Sequence, residues 1–140
     1  MITLLDVNVL VAVTQPTHEH HRPASTWLRA QQASGWATTP LTELGLVRLS
    51  CHPRVTSPPL TPMEAIELLR ALTAGPGHRF WPDELPVGEE ALDWTTVRTH
   101  REVTDVRLVS IARSNAGRLA TFDVKLARRH PESTELIAGT

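Results

Sequence analysis

The sequence predicts an α/β fold, a three-layer sandwich in which helices cover both faces of a central parallel sheet of about four to five strands. Two observations predict it. Short apolar runs alternate along the chain with longer segments whose apolar residues recur at helical spacing, and strands that alternate with helices form parallel sheets. In addition, the 140 residues, of which 41% are hydrophobic and 21% charged, suit one globular domain over residues 1–140.

The first third of the chain predicts a β-α-β unit. Residues 2–5 are apolar and predict a strand that ends at Asp6, and residues 9–13 begin a helix just after it. The apolar pattern of residues 18–32 predicts a second helix, and residues 36–39 predict the next strand. Asp6 is therefore expected at the carboxyl end of the first strand.

The middle of the chain predicts three helices and one strand. A helix begins at Pro40, since proline suits the first helical turn, and it ends before Pro53. Residues 61–73 open with Thr-Pro-Met-Glu, a capping box that starts a helix. Residues 78–82 predict a short strand or a loop edge, and their closing proline, which has no N–H for a ladder, argues against a central position in the sheet. A further helix is predicted over residues 89–100.

The last third of the chain predicts two helices and two strands. Thr104 is expected to cap a helix, and residues 118–122 predict a strand that ends at Asp123. A helix over residues 124–129 and a weak strand at 135–137 complete the fold. Asp123 thus follows a strand as Asp6 does, and ligand sites in parallel sheets form at such carboxyl ends.

The composition excludes several classes of protein. No apolar run approaches the roughly 20 residues that span a bilayer, and no secretory signal pattern opens the chain, so a cytoplasmic protein without a membrane segment is expected. The single cysteine, Cys51, cannot form an internal disulfide, and core packing is its expected role. The formal net charge of −1 argues against attraction of the whole molecule to nucleic acid.

Any contact with nucleic acid would therefore use a local patch, and the carboxyl-terminal region is locally basic. Solvated helix faces explain the same charges, and charge alone favours that interpretation. The candidate residues for contact with nucleic acid are Arg101, Arg107, Arg113 and Lys125.

Two further acids are predicted on helices, where they face apolar neighbours. Glu43 shares a helix face with Leu46, and Asp105 shares one with Leu108. Clustered carboxylates repel one another and raise one another's pKa, a cost that a bound divalent cation removes. Oxygen ligands select Mg²⁺ or Mn²⁺ over zinc. Each acid alone also fits an ordinary position at a helix end, a turn or a helix rim.

Four segments occur in the order typical of a known family. They are Leu5-Asp6-Val7-Asn8-Val9-Leu10, Thr42-Glu43-Leu44, Thr104-Asp105-Val106-Arg107-Leu108 and Ala120-Thr121-Phe122-Asp123. This ordered set resembles the PIN-domain family, and the likeness covers nearly the whole chain. The segments at residues 40–45 and 78–83 further resemble a subgroup of VapC toxins. The resemblance implies a PIN-like version of the three-layer sandwich.

The resemblance also implies an activity. It implies a metal-dependent endoribonuclease, the toxin of a type II toxin–antitoxin pair, which forms a homodimer and is neutralised by a VapB-type antitoxin. The residues that it implies for catalysis and for binding Mg²⁺ or Mn²⁺ are Asp6, Glu43, Asp105 and Asp123. Asn8 and Thr121 match positions that support these acids. Residues 124–126 lack the further acid of some relatives, so one firmly bound metal is expected, with a second arriving with RNA.

Other functions fit parts of the pattern. A housekeeping PIN-domain RNA-processing nuclease, or an inactive PIN module that binds RNA or a protein, would share the same motifs. A phosphatase of the haloacid-dehalogenase type would use Asp6 as nucleophile, but it needs a second aspartate where Asn8 stands. The sequence does not distinguish transfer, ribosomal and messenger RNA as substrates.

Overall fold

Five parallel strands form one sheet in the described part of the chain. The structure is a computed structural model that describes residues 1–90, 92 and 94–139. The strands are β1 (Thr3–Leu5), β2 (Trp36–Thr38), β3 (His78–Phe80), β4 (Arg118–Thr121) and β5 (Thr134–Leu136). Their order across the sheet is β3-β2-β1-β4-β5, and every pairing is parallel. The predicted parallel sheet is confirmed, and β3 is a strand at its edge, in agreement with the expected non-central position.

Six α-helices connect these strands within the same described residues. They are α1 (Val7–Thr14), α2 (His21–Gln31), α3 (Pro40–Ser50), α4 (Pro62–Thr73), α5 (Val103–Ser114) and α6 (Val124–Arg129). Helix α4 starts with the predicted capping box: the hydroxyl oxygen of Thr61 accepts the N–H of Glu64 at 3.2 Å, and the carboxylate of Glu64 accepts the N–H of Thr61 at 2.9 Å. This exchange pairs two N–H groups that the helix itself leaves without a partner.

Two apolar clusters cover opposite faces of the sheet and produce the three layers. The first cluster joins the sheet to α5 and α6, and it includes Leu4, Ala37, Leu108, Val109, Leu119 and Leu126. The second joins the sheet to α1, α2 and α3, and it includes Leu5, Leu10, Leu28, Trp36, Leu46 and Ala120. Successive side chains of β1 enter different clusters because side chains alternate across a strand. The predicted α/β sandwich is therefore present.

The helix predicted over residues 89–100 is wrong. Turns and a short 3₁₀ segment, Trp94–Thr96, occupy the described part, while residues 91 and 93 lie outside the described residues. The carboxylate of Glu90 is buried and accepts hydrogen bonds from the Gly88 N–H at 2.8 Å and from the Trp94 indole at 2.9 Å. It also pairs with Arg107 at 2.6 Å. This tertiary anchoring outweighs the local helical pattern.

Two smaller expectations also differ from the structure. Helix α5 begins at Val103, after a 3₁₀ turn at His100–Glu102, so Thr104 lies inside the first turn instead of capping it. Cys51 is only half-buried at the end of α3, because the chain turns toward the surface there. No helix among the described residues has the length and apolar character needed to cross a membrane.

Candidate active site

The candidate site lies at the carboxyl ends of the central strands. Asp6 follows β1 directly, and Asp123 stands two residues after the end of β4. Strands β1 and β4 pair side by side, with Leu5 opposite Ala120. Neighbouring parallel strands end at the same edge of a sheet, so the topology brings the two acids together as predicted.

Asp6 is held by two hydrogen bonds. Its Oδ1 accepts the N–H of Val7 at 2.8 Å, which caps α1, and its Oδ2 accepts the hydroxyl of Thr121 at 2.7 Å. Burial raises the pKa of Asp6 above its ordinary value, and the negative charge of Asp123 raises it further. The two hydrogen bonds oppose this rise because they stabilise the ionised carboxylate.

Asn8 and Thr121 connect the acids to the loop after β4. The Thr121 hydroxyl oxygen accepts the N–H of Asp123 at 3.0 Å and the side-chain amide of Asn8 at 3.4 Å. The Asn8 carbonyl in turn accepts the N–H of Phe122 at 3.4 Å. Asp123 then caps α6 by accepting the N–H of Leu126 at 3.1 Å. Both residues proposed as supports of the acids therefore lie beside them.

Asp105 faces the same region from the first turn of α5. Its Oδ2 accepts a hydrogen bond from the Arg129 guanidinium at 3.0 Å, and a second nitrogen of Arg129 lies 3.4 Å from a carboxylate oxygen of Glu102. Burial raises the pKa of Asp105 to about 6, and the negative charge of Asp6 is the next contribution. Asp123 and Glu102 add to the rise, whereas Arg129 opposes it. Asp105 thus interacts electrostatically with both strand-end acids.

Glu43 is turned toward another partner. Its Oε2 accepts the hydroxyl of Thr38, at the end of β2, over 2.6 Å. The Thr38 hydroxyl oxygen also lies 2.7 Å from Nε2 of His78. Burial lowers the pKa of His78, although the negative charge of Glu43 opposes that change. The sequence interpretation placed His78 in a strand but not in the site, because nothing in its spacing links it to an acid 35 positions earlier.

The four predicted acids do not form a closed ligand set. Asp6, Asp105 and Asp123 influence one another's charge, whereas Glu43 is bound to Thr38. Within the described residues, no group of three or more histidine, cysteine, aspartate or glutamate side chains is arranged to hold a metal ion. Each of the four acids has a partner within the chain: Asp6 accepts from Val7 and Thr121, Asp123 from Leu126, Asp105 from Arg129 and Glu43 from Thr38. The four-acid metal site therefore stays a prediction.

The four candidate RNA-binding residues differ in exposure and in their contacts. Arg101, Arg113 and Lys125 are exposed, and their contact with RNA stays a prediction. Arg107 instead donates through Nε to Asp83 at 2.7 Å and pairs with Glu90 at 2.6 Å. Its guanidinium also donates to the backbone carbonyl of Leu85. Arg107 therefore anchors the loop before α5, which leaves its side chain mostly buried.

Two arginines of the locally basic carboxyl-terminal region, Arg98 and Arg129, line one cavity together with His130, which the sequence interpretation had not included. This cavity lies beside α5 and has a volume of about 510 Å³. Burial lowers the pKa of His130, and the positive charges of Arg129 and Arg113 lower it further. These residues come from a loop and from the end of α6, so no local sequence pattern unites them.

Comparisons with known proteins agree with this fold. The PIN domain matches residues 3–130 of the chain. "Ribonuclease VapC39" of Mycobacterium tuberculosis is 47% identical over 128 residues, which are 91% of this chain and 92% of that protein. "Ribonuclease VapC38" of the same organism is 39% identical over 135 residues, 94% of each chain. Both relatives match over nearly their whole length.

A solved structure supplies an independent comparison of the fold. The crystal structure of VapBC2 from Rickettsia felis, bound to a DNA fragment from their promoter, matches with a TM-score of 0.69 and 15% identity. The match covers 97% of this chain and 98% of that chain. At this identity the likeness concerns the fold alone. The family match over residues 3–130 and the two relatives show the family: the chain belongs to the PIN-domain family, among the VapC ribonucleases.

Proposed function

We propose that this protein is a metal-dependent endoribonuclease, the toxin of a VapBC-type toxin–antitoxin pair. One observation carries the proposal: Asp6, Asp105 and Asp123 converge at the carboxyl edge of the sheet, where burial and then the charges of Asp6 and Asp123 raise the pKa of Asp105 to about 6. Such mutual perturbation of acids is typical of functional sites. The ribonuclease names of its relatives support the reaction class.

The oxygen donors of the acids suit a hard divalent cation in their chemistry, while their arrangement in this structure is not yet that of a metal site. The converging side chains offer carboxylate oxygens, the ligands that Mg²⁺ and Mn²⁺ prefer. The residues that would hold the ion are Asp6, Asp105 and Asp123, with Glu43 as the fourth. Bound there, the ion would supply activation of water and neutralisation of charge at an RNA phosphodiester.

The chain's own residues prepare the site for that reaction. Thr121 orients Asp6 and favours its ionised form by donating a hydrogen bond. Asn8 fixes the loop that carries Asp123 through its contact with the backbone of Phe122. Preorganised supports of this kind keep charged groups in place without reorganisation during the reaction. The exposed cations Arg101, Arg113 and Lys125 would contact the RNA backbone.

The proposal includes partners and location. A VapB-type antitoxin would neutralise the protein, and two copies would form a homodimer; the VapBC2 complex that shares the fold supports the pairing with an antitoxin. The cytoplasm is the proposed place of action, since both RNA and the antitoxin would be met there. One domain over residues 1–140 remains the proposed organisation.

The activity can be tested with purified, metal-free protein. We expect cleavage of structured RNA on addition of Mg²⁺ or Mn²⁺, and no cleavage in EDTA. Asp6→Asn should abolish cleavage with the fold intact, whereas Glu67→Gln, an exposed change on α4, should keep it. Full cleavage in EDTA would contradict metal dependence, and RNA binding without any cleavage would favour the inactive module.

The toxin role needs a separate experiment in cells. Induced expression of the chain should stop growth, and coexpression of a short open reading frame from immediately upstream should restore it. A housekeeping nuclease would not depend on such a neighbour. Growth arrest that the Asp6→Asn variant also causes would contradict a toxic effect through RNA cleavage.

A further inference from the structure

Helix α6 carries an ion-pair partner for one acid of the site. Arg129, the last residue of α6, places one nitrogen 3.0 Å from Oδ2 of Asp105 and another 3.4 Å from Oε1 of Glu102. The side chains of Arg129 and Asp105 are 28% and 20% exposed, so water screens their attraction less than at a fully open surface. The contact joins residues 24 positions apart in the chain.

We propose that Arg129 is an internal counter-ion that holds the Asp105 carboxylate in the metal-free protein and competes with the divalent cation for it. This inference rests on the proposed function, since it concerns the same acids. Asp105 experiences the negative charges of Asp6, Asp123 and Glu102, and Arg129 is the positively charged side chain in contact with it. A guanidinium and a metal ion would each relieve the same excess of negative charge, and both would use the Asp105 carboxylate to do so.

The structure provides a place for Arg129 once Asp105 is taken by a cation. Glu102 remains as an ion-pair partner on the other side of the guanidinium. Arg129 also lines the cavity of about 510 Å³ that includes Arg98 and His130. The side chain can therefore leave Oδ2 without being buried unpaired, which would be costly.

The competition makes a directional prediction for metal affinity. Mn²⁺ is titrated into metal-free protein by calorimetry at pH 8, above the pKa of Asp105, for the wild type and for Arg129→Gln. The variant should bind Mn²⁺ about threefold to tenfold more tightly, because a positive charge near a divalent ion has been removed. Arg129→Lys keeps the charge and should stay within about twofold of the wild type.

Arg128→Gln is the matched control for this experiment. Arg128 is the preceding residue of α6, it is exposed, and its replacement removes the same charge from the same helix. The control should bind Mn²⁺ as the wild type does. Equal tightening in Arg128→Gln and Arg129→Gln would overturn the proposal, since net charge would then explain the effect.

Thermal unfolding gives a second readout that does not depend on activity. Without metal, Arg129→Gln should melt at a lower temperature than the wild type, because Asp105 loses its counter-ion. Saturating Mn²⁺ should remove most of this difference, since the ion takes over the same role. A deficit that persists in saturating Mn²⁺ would mean that Arg129 only stabilises the fold, and it would overturn the proposal.

The outcomes separate this proposal from the proposed function. If the wild type neither binds Mn²⁺ nor cleaves RNA, the metal-dependent nuclease itself is contradicted. If the wild type does both but Arg129→Gln binds Mn²⁺ equally or more weakly, only the counter-ion role is contradicted.

Discussion

The hydroxyl of Thr121 donates a 2.7 Å hydrogen bond to Oδ2 of Asp6, and so connects the ends of two neighbouring strands. Thr121 is fully buried, and its oxygen also accepts the N–H of Asp123. One side chain therefore positions two of the acids. Removal of the Thr121 hydroxyl should therefore disturb two acids of the site, although only one oxygen atom is lost.

Thr121→Val tests this link, because valine keeps the shape of threonine but lacks the hydroxyl. We expect kcat/KM for RNA cleavage to fall by about 10–100-fold, the usual effect of losing a support of a metal ligand. Thr121→Ser keeps the hydroxyl and should retain most of the activity. Equal activity of the valine and serine variants would show that the hydrogen bond is not required.

The buried pair between Arg107 and Glu90 predicts a large effect on stability. Arg107→Met leaves the Glu90 carboxylate without its cation, and the free energy of unfolding should fall by about 2–4 kcal/mol. Urea denaturation measures this change. Arg113→Met on the exposed part of α5 is the control and should cost less than about 0.5 kcal/mol. If both variants unfold alike, the pair does not stabilise the loop.

Glu90 also predicts how stability depends on acidity. Burial raises its pKa, but hydrogen bonds from its own backbone, Arg107, Trp94 and Gly88 outweigh this and lower the pKa from 4.5 to about 2. A lowered pKa means that the folded state favours the ionised form, so this stabilisation is present above pH 4.5 and is lost as the pH falls toward 2. Glu90→Gln should therefore show a flatter decline between pH 5 and pH 3, measured by urea denaturation. An unchanged slope would argue against this ionic contribution.

Asp105 predicts the opposite trend in metal-free protein. Burial and the charge of Asp6 raise its pKa from 3.8 to about 6, so the folded state holds the proton more tightly than the unfolded state does. Raising the pH through this window should therefore destabilise the metal-free fold. Asp105→Asn should reduce that loss, whereas exposed Glu132→Gln should not. The check is a series of melting temperatures from pH 4 to pH 7, and saturating Mn²⁺ should restore the wild type at pH 7.

Gly45 permits close approach of α3 to α1. A Cβ added at this position would lie 2.6 Å from Cγ2 of Val7, closer than real atoms allow. Gly45→Ala should lower the free energy of unfolding by about 1–3 kcal/mol, the usual cost of overpacking. Combining it with Val7→Ala should recover part of the loss, since the clash would be removed. Additive effects of the two changes would contradict this explanation.

The sequence predicted the parts of the site that local structure determines. Asp6 and Asp123 follow short apolar strands, and the order of a parallel sheet brings strand ends together. The start of α4 was predictable for the same reason, because its capping box lies within four consecutive residues.

Contacts between distant segments could not be predicted in this way. Glu90 lies in a segment with helical periodicity, yet its carboxylate pairs with Arg107 and holds the chain in turns. The contact of Arg129 with Asp105 depends on the angle at which α6 meets α5, and no spacing in the sequence encodes that angle. The hydrogen bond between Thr38 and Glu43 likewise depends on how the two side chains are oriented in the folded protein.

The anchoring of the loop before α5 has a consequence for how this protein can vary. Arg107 anchors the loop through contacts with Asp83, Glu90 and the carbonyl of Leu85. Side chains between these contacts point outward, as the 79% exposure of Val87 illustrates. Exposed residues of this loop can therefore be substituted during evolution without a change in the positions of the acids at the edge of the sheet. Because Val87 is exposed and lies outside these contacts, position 87 is suited to the attachment of a fluorescent reporter or an affinity tag.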